Sequence, residues 1–422
     1  MFSKPKIALA LLLGASVLRV HAAPLTLDDA LRLAQERSRQ LPAQVAAAAA
    51  SREMAVAAGQ RPDPTLKVGL NNLPIDGPDR FSVSRDFMTM RSIGVMQELP
   101  MQAKRQARTA RFEREAEAAE AGRELVLANL QRDTATAWLD RHFQERMHEL
   151  LVSQRDEARL QIDAADAAYR GGKGSQADVF AARSAVAQIE DRLTQTERQV
   201  TTATTQLARW VGAPAAEALA APPALDAVPL CAEQLDAQLA HHPQVEVLVR
   251  QEAMALADAE VALANKKPDV SVELMFSQRG SAYSNMVSVN LSVPLLWDPK
   301  NRQDREVSAK LARVEQVRAE REEATRAHVA EALATLQEWR NDRERLTRFD
   351  ASLLPLAAER TRAATAAYRG GSGPLVAVLE ARRAAIDTRM DRLRLEMDAA
   401  RLWAQLNHLV PVGRNAPAAA RP

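Results

Sequence analysis

A chain of 422 residues is longer than one compact domain usually holds, so two units or one elongated body are expected. Lysine and arginine number 56 against 54 acids, a net charge of +2, and no segment is basic enough to mark a nucleic-acid-binding domain. Aromatics make up only 4%, with 15 glycines and 21 prolines, which favours long helices over a compact mixed core.

The N-terminus, MFSKPKIALALLLGASVLRVHAA, places Lys4 and Lys6 before an apolar run from Ile7 to Leu18 and a small-residue site at Val20, His21 and Ala22. Residues 1–22 therefore read as a signal peptide, with an uncleaved anchor as the alternative. The mature chain would start near Ala23 and leave the cytoplasm. No later stretch approaches 18 uninterrupted apolar residues, so no transmembrane helix is expected. The single cysteine, Cys231, cannot form an internal disulfide, and none follows the signal to accept a lipid.

Two stretches are versions of each other. AAYRGGKGSQADVFAARSAV (167–186) and AAYRGGSGPLVAVLEARRAA (366–385) lie 199 residues apart, as do QLARWVG (206–212) and QLNHLVPVG (405–413). RPDP at 61–64 and KPDV at 267–270 are a further pair near that offset. A tandem duplication organises the chain: a first repeat over 23–214, a linker over 215–230, a second repeat over 231–411 and a disordered tail over 412–422.

In the first copy a helix is expected from about Asp28 to Gly59, capped by Thr26 or Asp28. Strand-like runs follow at 65–73 and 87–99, joined by the turn-rich PIDGPDR. No proline occurs from Met101 to Ala213, so two helices are expected, roughly 101–168 and 175–211. The second copy repeats the order with a helix over 232–266. Its strands alternate: Val270, Val272, Leu274 and Phe276 against Ser271 and Glu273, then Val287, Val289, Leu291, Val293 and Leu295 against Ser288, Asn290 and Ser292. Helices over about 301–367 and 374–409 complete it, the first kinked by Pro355.

In each copy the two short helices together match the long one, about 100 Å at 1.5 Å per residue, so they should stack end to end beside it. Such a rod buries one stripe and needs lateral neighbours. Four strands of 9–13 residues suit a bilayer-spanning barrel but cannot close one, and an open edge in lipid leaves backbone groups unsatisfied. Three chains would supply 12 strands. A soluble four-stranded sheet packed on the helices is the alternative.

The glycine-rich stretch is not a phosphate loop. Gly172 and Lys173 are followed by Gly174 rather than a hydroxyl residue, Ala167 stands where the first glycine belongs, and a long helix precedes it. Gly171 and Gly172 instead close one helix in left-handed conformations, and Ser175 with Asp178 forms a capping box for the next. Gly370 and Gly371 close the corresponding helix in the second copy, where Pro374 suits the first turn of its successor.

Other chemistry is sparse, and no catalytic constellation emerges. None of the seven histidines, His21, His142, His148, His241, His242, His328 and His408, sits in a metal-ligand motif. Met88, Met90, Met96 and Met101 are soft ligands for Cu(I) or Ag(I), or packing residues. Phe81, Phe87, Tyr283 and Trp297 flank the strands, where barrels place aromatic girdles.

With the duplicated helix–strand–strand–helix–helix order, the two tips, and the helix starts LPMQAKRQAR (99–108) and VPLLWDPKNRQDR (293–305), the chain resembles the TolC-like outer-membrane efflux channels over residues 25–411. The stretch NNLPIDGPDRFSVSRDFMTMRSIGVMQELP resembles the heavy-metal branch, of the CusC and CzcC type. The resemblance implies a mainly α protein with a membrane β-barrel: a homotrimer whose 12-stranded barrel sits among outer-membrane lipid, joined to a long periplasmic α-helical barrel. It implies no cofactor and no nucleic acid, a periplasmic adaptor and an inner-membrane pump of the resistance-nodulation-division type. The tip residues Tyr169, Arg170, Gly171, Gly172, Asp178, Tyr368, Arg369, Gly370 and Gly371 would dock the adaptor and gate the pore.

Two departures stand out. Some relatives carry a lipidated cysteine, absent here, and the family often narrows its pore with two aspartates near the second tip, where this chain has Ala377 and Glu380. A constriction would rest on Glu380 and on Asp178, unless Asp178 only caps its helix. The function implied is export of heavy-metal cations such as copper or silver from the cell envelope of a Gram-negative bacterium. Export of drugs or other small organic molecules, and a periplasmic helical scaffold or adaptor, are the alternatives.

Overall fold

The computed structural model describes residues 24–229 and 242–409. The expected signal peptide, Cys231, His241, the residues 232–241 assigned to a helix and the tail over 412–422 lie outside the described residues.

The first repeat opens with α1 (Leu27–Arg37) and α2 (Gln40–Gly59), not with one helix. Thr26 caps α1 by accepting a hydrogen bond from the Asp29 amide at 3.0 Å. The break follows from Pro42, because an unbroken helix would need a proline N–H to reach the Ser38 carbonyl. Then come β1 (Thr65–Asn71), β2 (Met90–Leu99), α3 (Gln102–Arg170) and α4 (Gln176–Val211). The second repeat gives α5 (Pro243–Asn265), β3 (Val270–Gln278), β4 (Met286–Ser292), α6 (Gln303–Arg348), α7 (Leu354–Arg369) and α8 (Leu375–Asn407). Between α6 and α7 the kink expected at Pro355 takes the form of a π-turn, Phe349–Leu353. A proline there removes one i→i−4 bond, and the extra residue of the wide turn absorbs the loss.

The short helices stack beside the long ones. Arg105 Nη1 donates to the Gly59 carbonyl at 3.0 Å and Thr109 to that of Ala55 at 3.2 Å, which ties α2 to the first half of α3. Arg159 and Glu190, 2.7 Å apart, tie α4 to its second half. In the second copy Lys266–Asp304 (2.7 Å) and Arg318–Glu252 (3.1 Å) place α5 on α6, and Arg392 joins α8 to the π-turn.

The main core lies midway along the rod, around Trp138, Leu139, Leu151, Leu207, Leu336, Trp403 and Leu406. The stretch expected as a linker is built into it as far as it is described. Leu219, Leu225 and Val228 pack on this core, Leu25 and Leu219 form a parallel bridge, and Arg141 donates to the carbonyls of Ala215 and Glu217. Indole N–H groups clamp both strands of chain, Trp138 to the Leu25 carbonyl at 3.1 Å and Trp403 to that of Ala227 at 2.9 Å. No described helix is long and apolar enough to cross a membrane.

Candidate functional site

At one end of the rod the four strands form a single antiparallel sheet in the order β1-β2-β3-β4. The register aligns the alternating patterns of both repeats. Val68, Ile93, Phe276 and Val287 form one row, and Leu66, Val95, Leu274 and Val289 the next. All eight side chains are exposed, from 44% for Phe276 to 74% for Val68, so this face is a contiguous apolar surface left uncovered by the described residues. A row of Leu70, Arg91 and Gln278 bounds it at one end.

The other face is polar. It carries Lys67, Asn71, Ser92, Glu98, Ser271, Glu273, Ser277, Ser288 and Asn290. Lys67 reaches across Gly94 to Glu273 at 2.7 Å, and Ser92 and Ser277 are buried. Gly94 is required there, since a Cβ would stand 2.7 Å from the Leu274 carbonyl oxygen. The strands have 7, 10, 9 and 7 residues: β1, β2 and β4 stop short of the runs expected at 65–73, 87–99 and 287–295, β3 extends past Phe276 to Gln278, and exposed Val293 and Leu295 continue beyond β4. The expected girdle residues Phe81, Phe87, Tyr283 and Trp297 are all exposed, the first three in loops at one end of the sheet and Trp297 past the other. Among the described residues β1 and β4 each keep one unpaired edge, a row of backbone groups that lipid could not satisfy.

At the far end of the rod the two tips adopt one geometry. Gly172 and Gly371 have φ of +69° and +72°, whereas Gly171 and Gly370 are right-handed, so only the second glycine of each pair needs the left-handed region. The amides of Lys173 and Ser372 each donate 2.9 Å to the carbonyls of Ala168 and Ala367. The helices that follow differ. Ser175 and Asp178 complete the capping box, and hydrogen bonds from the Ser175 amide and hydroxyl lower the Asp178 pKa. The counterpart of Ser175 is Pro374, which stands at the N-cap of α8 rather than inside its first turn and supplies no side-chain cap.

The tips lie side by side. Ala165, Val179 and Ala182 of the first repeat share a small buried cluster with Leu375 and Val378 of the second, and Tyr368 packs against it. Tyr169 is exposed instead, and Arg170 pairs with Asp166 of its own helix. Arg369 and Glu380 are exposed, and neither belongs to an ion pair among the described residues; Arg382, two positions beyond Glu380, pairs instead with Glu157 at 3.6 Å.

A feature missed in the sequence sits at mid-rod. His242, His328 and His408, all buried, line a cavity of about 650 Å³. The His242 and His328 rings lie 4.1 Å apart, and His242 Nδ1 accepts the Gln244 amide at 3.2 Å, capping α5. Burial and then the facing His328 push the His242 pKa down to about 4, against a hydrogen bond with the Leu409 backbone. Among the described residues no group of three or more His, Cys, Asp or Glu is arranged to hold a metal ion. His242 and His328 stand 86 positions apart, and nothing along the sequence marks their meeting.

Residues 30–213 match the family model described as outer membrane efflux protein. No curated protein matches the chain by sequence. The fold is shared with solved outer-membrane proteins over almost the whole chain. VceC of Vibrio cholerae is 17% identical, with a TM-score of 0.75 over 91% of this chain and 95% of that one. The MtrE outer membrane channel of Neisseria gonorrhoeae, in its open state, is 15% identical, with a TM-score of 0.72 over 97% and 96%. CusC, described in terms of transmembrane channel formation, is 14% identical, with a TM-score of 0.71 over 90% and 92%. The likeness to CusC is no greater than to the other two, so it does not single out the heavy-metal branch.

Proposed function

We propose that this chain is the outer-membrane channel of a tripartite efflux system and exports heavy-metal cations such as copper or silver from the cell envelope. The observation that carries the channel reading is the sheet, open at both edges with an exposed apolar face on one side and a polar face on the other. Three copies would join β4 of one to β1 of the next, satisfy every edge, turn the apolar rows to lipid and enclose the polar face as a water-filled lumen. The stacked helices would continue that lumen through the periplasm as a barrel. The tips, about 100 Å away at 1.5 Å per residue, would meet an adaptor and a resistance-nodulation-division pump.

The match of residues 30–213 to the outer membrane efflux family and the fold shared with outer-membrane channels support this reading. Soft-cation export rests on sequence resemblance to the heavy-metal branch; drugs or other small organic molecules are the alternative cargo. A periplasmic scaffold would have no use for the apolar rows of the sheet. No catalytic role is assigned, since a conduit takes most of its specificity from its pump.

Native mass measurement of the detergent-extracted chain should give three copies, and insertion into planar bilayers should give a steady ionic current. A water-soluble monomer released by salt alone would overturn the channel and favour the scaffold.

A further inference from the structure

Twelve methionines are scattered through the sequence, and four of them, Met90, Met96, Met275 and Met286, fall in strands. A methionine side chain is apolar, so in a sheet with one apolar face it belongs with Leu66, Val68, Ile93 and Val289. None of the four is there. By the strand register every one lies on the polar face, where its neighbours are Ser, Thr, Asn, Gly, Lys and Glu.

Three of them are adjacent. Met96 of β2 stands opposite Glu273, one diagonal step from Met275 of β3, which stands opposite Gly94 and Ser288. Met286 of β4 stands opposite Ser277, again one diagonal step from Met275. Diagonal neighbours on one face lie about 7–8 Å apart at the backbone, within reach of long side chains. Gly94 leaves open the space beside Met275, where a Cβ would come within 3.2 Å of the Met275 Cβ. Both repeats contribute, so the row exists only because β2 and β3 pair at the junction of the duplicated halves.

We propose that Met96, Met275 and Met286 form a ladder of thioether donors on the polar face that binds soft monovalent cations, Cu(I) or Ag(I). The position of this ladder in a lumen rests on the channel reading above; its capacity to bind does not. Thioethers are soft, uncharged donors that prefer these ions to hard cations such as Mg²⁺ or K⁺, and they leave the ion exchangeable, which suits cargo passing along a wall. Lys67 does not oppose the charge outright, because Glu273 neutralises it at 2.7 Å. Met88 and Met101, the other soft candidates in the sequence, lie outside the strands and take no part.

The test uses the full chain purified in detergent, in a Cys231→Ser background because a thiol would bind silver. Silver nitrate is titrated by calorimetry in chloride-free buffer, and potassium nitrate currents are recorded in bilayers with and without silver. Replacing Met96, Met275 and Met286 together by Leu keeps volume and removes the sulfurs. It should weaken silver binding by about tenfold or more, since even outer-shell changes at metal sites cost that much. It should also abolish any silver-dependent slowing of the current while leaving the potassium current unchanged. Met90→Leu, off the ladder, should leave both silver effects intact. Equal silver binding by the parent and the triple variant would overturn the ladder. Absence of potassium current from the parent would instead overturn the channel, and calorimetry would still decide the ladder.

Discussion

Arg392 of α8 holds Asp350 of the π-turn with both ends of its guanidinium, Nε to Oδ1 at 2.6 Å and Nη2 to Oδ2 at 3.1 Å. The third nitrogen reaches Glu396 at 2.6 Å. Planar bidentate pairs fix geometry as well as add energy, and this one spans the point where α6 gives way to α7. It therefore braces the bend made at Pro355, from which the second tip extends. Arg392→Lys keeps the charge and loses the fork. It should cost about 1 kcal/mol of stability, given the half-exposed carboxylate, and should speed proteolysis of α7 and the tip. A cleavage pattern identical to the parent's would remove the pair from control of the bend.

Gly94 gives a sharper stability test. A valine there meets backbone, at 2.7 Å from the Leu274 oxygen and 3.1 Å from the Met275 Cα, and backbone cannot rotate away. Gly94→Val should destabilise the sheet by about 1–3 kcal/mol, seen as a lower melting temperature in detergent. Gly69→Ala is the mild comparator, because its Cβ meets side-chain atoms alone, the Ser92 hydroxyl at 3.3 Å and the Asn71 Oδ1 at 3.7 Å.

The tips predict an asymmetry. Tyr368 is packed into the shared cluster and Arg369 is free of ion pairs among the described residues, whereas Tyr169 is exposed and Arg170 is tied to Asp166. If neighbouring copies are held closed at the tips, the second repeat has the groups to do it. Tyr368→Phe with Arg369→Ser should raise single-channel conductance, and Tyr169→Phe with Arg170→Ser should change it less. Equal effects would assign both tyrosines to helix-end packing.

Glu380, the sixth residue of α8, is exposed, with no ion pair among the described residues. Three copies around one axis would make a ring that favours cations. Glu380→Gln should shift the reversal potential in a salt gradient toward anions and weaken block by multivalent cations. An unchanged reversal potential would return the residue to the outer surface.

The mid-rod histidines predict acid lability. His242 drops from 6.5 to about 4 in the fold, through burial and the facing His328, with Arg132 adding to the push and Glu331 acting on His328 in the opposite sense. Between pH 6.5 and about 4 the unfolded chain binds a proton that the folded one refuses. Stability therefore falls as pH drops through that window, by up to about 1.4 kcal/mol per pH unit for this group, and its contribution levels off below. Thermal melts from pH 7 to 4 should show the loss, and His328→Gln, which removes the facing imidazole but not the burial, should lessen it.

The sequence by itself determined the features whose physics is local or periodic. The tips were legible because glycine at 172 and 371 and the Ser175–Asp178 box act within a few residues. The duplication was legible as an offset, and the two faces of the sheet as period-two alternation. The break at Ser38 is also local, since Pro42 cannot donate to the Ser38 carbonyl, although the alanine-rich run around it favours one unbroken helix.

What tertiary structure decided is adjacency between distant segments. Only strand pairing sets Met275 beside Met96, and only helix packing brings His328 against His242. It also draws 215–229 into the core instead of leaving a linker. Such meetings depend on register and on which buried surfaces fit, and these are properties of both partners together. A pattern along one strand or helix names the face that must be covered, but it carries no record of the side chain that will be found across from it.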